Sequence, residues 1–151
     1  MIAELSASKT HYQIIIKLAK NHTDTTTDEF LPNDIAHNTK SIPWDPIASL
    51  VFKEPGNSGS ISPAVALGHE LAHAYHFDTD PASFIQRYVN TRDPVYDNAE
   101  EALTIKSFEN VAAKFFHQGV RSRHGPVVGD PAWDYHFESV SGPLKTAPPP
   151  R

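Results

Sequence analysis

The ten residues LGHELAHAYH, positions 67–76, restrict the fold of this chain more than any other stretch. Within them His69, Glu70 and His73 spell H-E-x-x-H. Residues four apart on an α-helix stand one above the other, so a helix lets both imidazoles reach one cation from the same face, with Glu70 about a quarter turn away. Two neutral imidazoles and a carboxylate suit Zn2+, with a fourth position left for water. The ion lowers the pKa of that water toward neutrality and polarises a carbonyl, and Glu70 is the expected general base. The pattern points to hydrolysis of a peptide bond.

The surroundings agree with a helix. Ser62-Pro63 is a start signal, with Ser62 as N-cap and Pro63 at the first helical position. Ala64, Val65, Ala66, Leu67, Leu71, Ala72 and Ala74 make the segment apolar on nearly every side, as a helix in a domain centre is. The plainer alternative is a core helix whose histidines only form hydrogen bonds. Burying His, Glu and His together without a metal, however, leaves several polar groups to satisfy.

At 151 residues the chain is long enough for one domain with its own core, expected over residues 1–145, with a disordered tail at 146–151 that contains Pro148, Pro149 and Pro150. Thirteen basic residues against eighteen acidic ones, a net charge of −5, argue against nucleic acid as a partner. There is no cysteine, which rules out disulfides, thiolate zinc sites and a cysteine nucleophile. The apolar run at 14–16 is too short for a membrane span or signal peptide, and no basic segment follows Met1. No membrane partner is expected, and either export without a classical signal peptide or excision from a longer protein accounts for the start.

Along the chain, the β-branched cluster Ile14, Ile15 and Ile16 predicts a strand within residues 10–19. Residues 21–29 read as a loop or hairpin with strand character at 25–27. Residues 41–44 read as a short strand that Pro43 and Pro46 confine to a sheet edge. An exposed edge beside the catalytic helix is where an extended substrate would add as a strand. Residues 53–60, KEPGNSGS, read as a turn-rich loop. Asp80-Pro81 predicts a helix to about Tyr88, followed by a loop over 90–96. Asp97 and Glu100 stand at capping-box spacing and open a predicted long helix that Gly119 closes. Glu101, Ile105, Phe108, Ala112 and Phe115 share its inner stripe, which turns Glu101 toward the core. A carboxylate is seldom left inside unless something cationic waits there.

Two carboxylates are candidates for a third ligand. Glu101 follows His73 in the run Glu100-Glu101-Ala102-Leu103-Thr104, and Asp93 lies in Thr91-Arg92-Asp93-Pro94-Val95-Tyr96. Glu101 is the preferred one. The metzincin pattern is excluded because Thr79 stands where its third histidine would be. The second run resembles the T-x-D-x-x-Y core of the aspzincins, although Asn90 and Asp97 replace that family's flanking glycines. A donor for the oxyanion is sought among Tyr96, Arg121, Arg123 and His124. His76 shares the face of His73 and is a supporting donor or a core histidine. His11, His22, His37, His117 and His136 show no ligand spacing.

The set His69-Glu70-Leu71-Ala72-His73-Ala74, Glu100-Glu101-x-x-Thr104, Glu109-Asn110 and Arg121-Ser122-Arg123 resembles the zinc metallopeptidase effectors injected by pathogenic bacteria. Its first two motifs are also similar to those of the clostridial neurotoxin light chains. The resemblance covers roughly residues 60–125. It implies His69 and His73 as zinc ligands, Glu70 as base, Glu101 as third ligand and Glu109-Asn110 as their support. It further implies a secreted bacterial effector or toxin acting in the cytoplasm of a target cell, with an immunity or inhibitor protein as a second partner.

The expected fold is α+β and zincin-like: a small twisted sheet with an edge strand beside a central H-E-x-x-H helix, followed by helices. The expected activity is zinc-dependent cleavage of an extended polypeptide substrate. Another zinc amide hydrolase, or a non-catalytic binding module stapled by zinc, are the alternatives.

Overall fold

The computed structural model describes residues 2–16 and 39–139. The architecture is a mixture of helices and small sheets. A short helix α1 (Ile2–Ser6) leads to β1 (His11–Ile16), which pairs in parallel with β2 (Thr39–Trp44). A second sheet holds β3 (Ala48–Glu54), β4 (Asn57–Ile61) and β7 (Asp134–Ser139), antiparallel in the order β4-β3-β7. Between β4 and β7 the chain runs through α2 (Pro63–Thr79), α3 (Pro81–Val89), the two-residue strands β5 (Arg92–Asp93) and β6 (Asp97–Asn98), α4 (Ala99–Thr104), a π-helical turn (Ile105–Glu109) and α5 (Asn110–Phe115). Where a single small sheet is expected from sequence, the described residues hold three separate ones. The expected hairpin at 21–29 and the tail lie outside the described residues, as does the boundary at residue 145.

The helix α2 starts as its sequence predicts. Ser62 is extended at φ −67 and ψ 158, and its Oγ accepts from the Val65 amide at 3.4 Å. The side chain of Gln118 grips this cap from outside, accepting from the Ser62 amide and donating to Ser62 Oγ, both at 2.8 Å. At the far end Asp80 leaves helical geometry and caps α3 instead, its Oδ1 accepting from Ser83 N at 3.1 Å. One stripe of α2, Val65, His69, His73 and Phe77, is buried along its whole length. Val65 joins a core cluster with Phe52, Ile61 and Ala113, while Phe77 and Ala74 join another with Leu5, Ile42 and Phe84. The two histidines lie on the stripe between these cores, where side chains are held on both sides and water is scarce.

The predicted edge strand is present as β2, and Trp44 Nε1 ties its end to the start of α2 by donating to the Pro63 carbonyl at 2.8 Å. Residues 53–60 are not a loop but the turn of the β3-β4 hairpin. Glu54 faces Asn57 across Pro55-Gly56, and Gly56 at φ 74 supplies the left-handed residue that a proline-glycine turn requires.

The predicted long helix is shorter and irregular. Its N-cap is Asn98, whose Oδ1 accepts from the amides of Glu100 and Glu101 at 2.9 Å each, while Asp97 stands outside at φ 68. It ends at Phe115, before His117 at φ 56, and not at Gly119. Gly119 serves a different need. A Cβ on it would sit 2.8 Å from Gly59 Cα, and one on Gly59 would sit 2.7 Å from Gly119 Cα, so the strand β4 and the incoming chain touch backbone to backbone. Gly59→Ala is expected to cost about 1–3 kcal/mol by overpacking, read as a lower urea midpoint at unchanged slope.

The π turn also moves the inner stripe. In a regular α-helix Glu109 would lie about 80° around from Glu101. A π turn takes in one extra residue and so removes about 100° of that rotation, returning Glu109 to the face of Glu101. The inner stripe is accordingly Glu101, Ile105, Glu109 and Ala113, with Glu100 and Thr104 buried beside it, and the predicted stripe residue Phe115 is 76% exposed.

Candidate metal centre

Three acceptor-bearing side chains converge above α2. The Nε2 atoms of His69 and His73 lie 3.0 Å apart, and Glu101 brings Oε2 to 3.2 Å from the first and Oε1 to 3.2 Å from the second. All three residues are buried. Four ligands around an ion with arms of 2.0–2.1 Å are separated by about 3.3 Å, and each of these separations, the last two made by different oxygens of one carboxylate, is close to that.

The outer nitrogens of both rings are already engaged. His73 Nδ1 is 3.3 Å from Glu100 Oε1 and 3.2 Å from Thr104 Oγ1. His69 Nδ1 is 2.8 Å from Glu109 Oε2, close enough for ion pairing although outside hydrogen-bond alignment. A ring that keeps its proton on Nδ1, facing a carboxylate, turns an Nε2 lone pair inward. Two such lone pairs and a carboxylate then face one point, and at 3.0 Å two Nε2 atoms that both carried protons would repel each other. A cation resolves that arrangement. Without one, burial would lower both histidine pKa values, but the hydrogen bonds and charges of the surrounding carboxylates prevail. His69 is raised to about 10, chiefly by Glu101 and Glu109, and His73 to about 9, chiefly by Glu100 and Glu101. The site therefore attracts positive charge by one means or another, and its residues fit a metal ion.

Each outer carboxylate has its own arginine. Glu100, fully buried, accepts from Arg87 Nε at 2.6 Å and lies 2.6 Å from His76 Nδ1, so His76 supports His73 through it. Burial would raise the Glu100 carboxyl, but His73, His76 and Arg87 hold it at about 2. Glu109 receives both Nε and Nη2 of Arg121 at 2.6 Å, a bidentate pair with both side chains buried. Burial would raise Glu109 too, and Arg121 followed by His69 holds it at about 2. Glu101 meets imidazoles, those of His69, His73 and, at 3.5 Å, His124, and its carboxyl is pushed well below the usual range by the first two against the pull of burial.

Arg121→Met leaves the Glu109 carboxylate buried without its guanidinium, and removing one partner of a buried pair costs about 3–5 kcal/mol. Urea unfolding is expected to show that loss. The double variant Arg121→Met/Glu109→Gln is expected to recover part of it, because the uncompensated charge is then gone.

Of the two sequence candidates for the third position, the structure brings Glu101 to the histidines. Asp93 faces its own backbone, with Oδ1 accepting from Val95 N at 2.7 Å and Tyr96 N at 3.0 Å. Among the described residues the grouping with metal-holding geometry is His69, His73 and Glu101. No family model, curated protein or solved structure matches the chain.

A cavity of about 320 Å³ opens beside this cluster, and both His69 and Glu70 line it. Glu70 is buried, with Oε1 3.9 Å from His69 Nε2. The candidate oxyanion donors separate here. Arg121 lines the cavity but gives its guanidinium to Glu109 and, at 2.6 Å, to the His124 carbonyl. Arg123 donates to the Pro94 carbonyl at 3.0 Å and stacks on Trp133, and Lys106 stands over the Tyr96 ring at 4.4 Å. His124 lines the cavity with its ring 6.5 Å from that of His69, and its Nδ1 is fixed 2.5 Å from Asp97 Oδ2. The β2 edge contributes nothing to the cavity lining; the wall comes from β3, β4 and β7.

Sequence reasoning gave no separate role to Glu100, Thr104 or the strand β7. Glu100 and Thr104 were legible only as part of a motif, since the stripe that turns Glu101 inward assigns nothing to the neighbour that holds the imidazole. The strand β7 had a signal, the alternation of Tyr135 and Phe137 with Asp134, His136 and Glu138. Glu109, which the resemblance implied as support for the ligands, reaches His69 through the π turn, which no periodicity announced.

Proposed function

We propose that this chain is a zinc-dependent endopeptidase of zincin-like fold, with His69, His73 and Glu101 as ligands and Glu70 as general base. The observation that carries this reading is the triangle of two Nε2 atoms and one carboxylate, one corner of which, His69, lines a cavity that Glu70 also lines. Two imidazoles and one carboxylate, with room for a fourth ligand, are the donor set of catalytic zinc sites. Zinc in that set supplies Lewis acidity, making water a nucleophile near neutral pH and polarising a carbonyl oxygen.

The remaining steps fall to side chains. Glu70 takes the proton of the attacking water and passes it to the leaving amine. His124, which lines the cavity as Arg123 and Tyr96 do not, would in its imidazolium form offer Nε2–H to the oxygen that becomes negatively charged, its other N–H held by Asp97, while Arg121 is given to Glu109. Glu100 and Glu109 hold the two ligand imidazoles in the tautomer and orientation that metal binding needs.

The substrate is an extended polypeptide. By its motifs the chain is a bacterial effector or toxin that works in the cytoplasm of a target cell and is restrained at its source by an immunity or inhibitor protein. Among the described residues no helix is long and apolar enough to cross a membrane. The test is a proteome-wide search for new protein termini in cells expressing the active protein, against cells expressing Glu70→Gln. A short list of termini absent from the control is expected. Identical termini in both would overturn the peptidase reading and leave a small amide or a purely structural metal.

A further inference from the structure

We infer that the cavity beside Glu70 is the subsite for one large apolar side chain, aromatic or branched aliphatic, of the residue adjoining the scissile bond. The inference rests on the metallopeptidase reading above and names the substrate feature that the same site selects.

The argument begins with the sheet register. Leu50 at the centre of the sheet faces Ile61 on β4 and Phe137 on β7, so one row across three strands carries three apolar side chains. The next row brings Phe52 opposite Tyr135, and Phe52 is fully buried in the core. Leu50 and Phe137 are only half-buried, and both line the cavity together with Ile61. Ala66 faces the same space from α2, where a small residue leaves room that a longer one would fill.

The polar groups on this side are occupied within the protein. Tyr135 turns its ring to the cavity and gives its hydroxyl to Glu54. Arg121 is spent on Glu109 and the His124 carbonyl. What the sheet side of the cavity offers a ligand is therefore apolar surface, and a charged side chain placed against Leu50, Ile61 and Phe137 would be desolvated with no partner among them. His69 and Glu70 stand in the same lining, so an occupant of the cavity is joined by few bonds to whatever reaches the metal position. At about 320 Å³ the space suits one side chain and its adjoining backbone, not a longer stretch of polypeptide.

The test uses binding and needs no knowledge of the substrate. Acetohydroxamate and 3-phenylpropanoyl hydroxamate share one metal-seeking head group and differ in the tail, and each is titrated calorimetrically into zinc-loaded protein. The phenyl compound is expected to bind at least about tenfold more tightly, because its tail leaves water for an apolar wall. Ala66→Leu, which fills the cavity, and Phe137→Ala, which shortens its wall, are each expected to bring the ratio of the two affinities toward one. Equal affinities in the wild type, with both compounds bound, would overturn the subsite while leaving the metal site standing. A tail ratio unmoved in both variants, each retaining zinc, would also overturn it. Failure of both compounds to bind would overturn the metal reading and this inference together.

Discussion

Glu101→Ala is expected to lower zinc affinity by more than about a hundredfold, while Asp93→Ala leaves it near the wild-type value. Loss of a supporting residue already costs a metal site about 10–100-fold, and Glu101 is the carboxylate that touches both inner nitrogens. The substitution leaves two imidazoles 3.0 Å apart without the carboxylate that spans their inner nitrogens. Asp93, by contrast, is engaged with the amides of Val95 and Tyr96, and its loss loosens a turn without reaching the site. Competition with a chromophoric zinc chelator measures both affinities. Retention of tight zinc by Glu101→Ala, or its loss in Asp93→Ala, would reverse the assignment of the third ligand.

Glu70→Gln is expected to remove peptide hydrolysis and keep the metal. The amide has the shape of the carboxylate but cannot accept the proton of an attacking water. General-base catalysis contributes about 10²–10⁴-fold, so a fall of about a thousandfold in kcat/KM, near 4 kcal/mol of barrier, is the expected result. Because Glu70 lies beside the triangle and not within it, zinc content should stay at the wild-type level. A variant that lost zinc and activity together would make Glu70 a ligand or a structural residue. A variant that kept full activity would remove it from the chemistry.

The centre of the fold was legible because its signals are local. Ser62, Pro63 and the four-residue spacing of Val65, His69, His73 and Phe77 are facts of one helix, and each depends on short-range geometry. Asp80-Pro81 worked for the same reason. Glu101 could be turned inward by counting because only one residue of uncertainty, Asp97 against Asn98 at the cap, lay before it.

Beyond Ile105 the count failed, since a π turn slips the stripe by one residue and a constant 100° step cannot foresee it. The cost of that turn is repaid by position: it sets Glu109 against His69 and Arg121 against Glu109. Non-local pairing was the other source of error. Residues 53–60 contain turn formers and so read as a loop, yet their partners on β3 and β7 make the segment part of a sheet. The cavity wall needs Ile61, Leu50 and Phe137 in register, and no linear pattern contains that information. The edge strand β2 was found, but the cavity beside the histidines is lined by the other sheet.

The central claim, that His69, His73 and Glu101 hold one catalytic metal ion, is tested most directly by the metal content of the purified protein. Plasma mass spectrometry on wild type, His73→Ala and Glu101→Ala, each shown to be folded by circular dichroism, is the decisive comparison. About one zinc per chain in the wild type, and little in either variant, is the predicted result. A folded wild-type protein that carries no metal and takes up none from micromolar zinc would contradict the account, as would equal zinc in all three proteins.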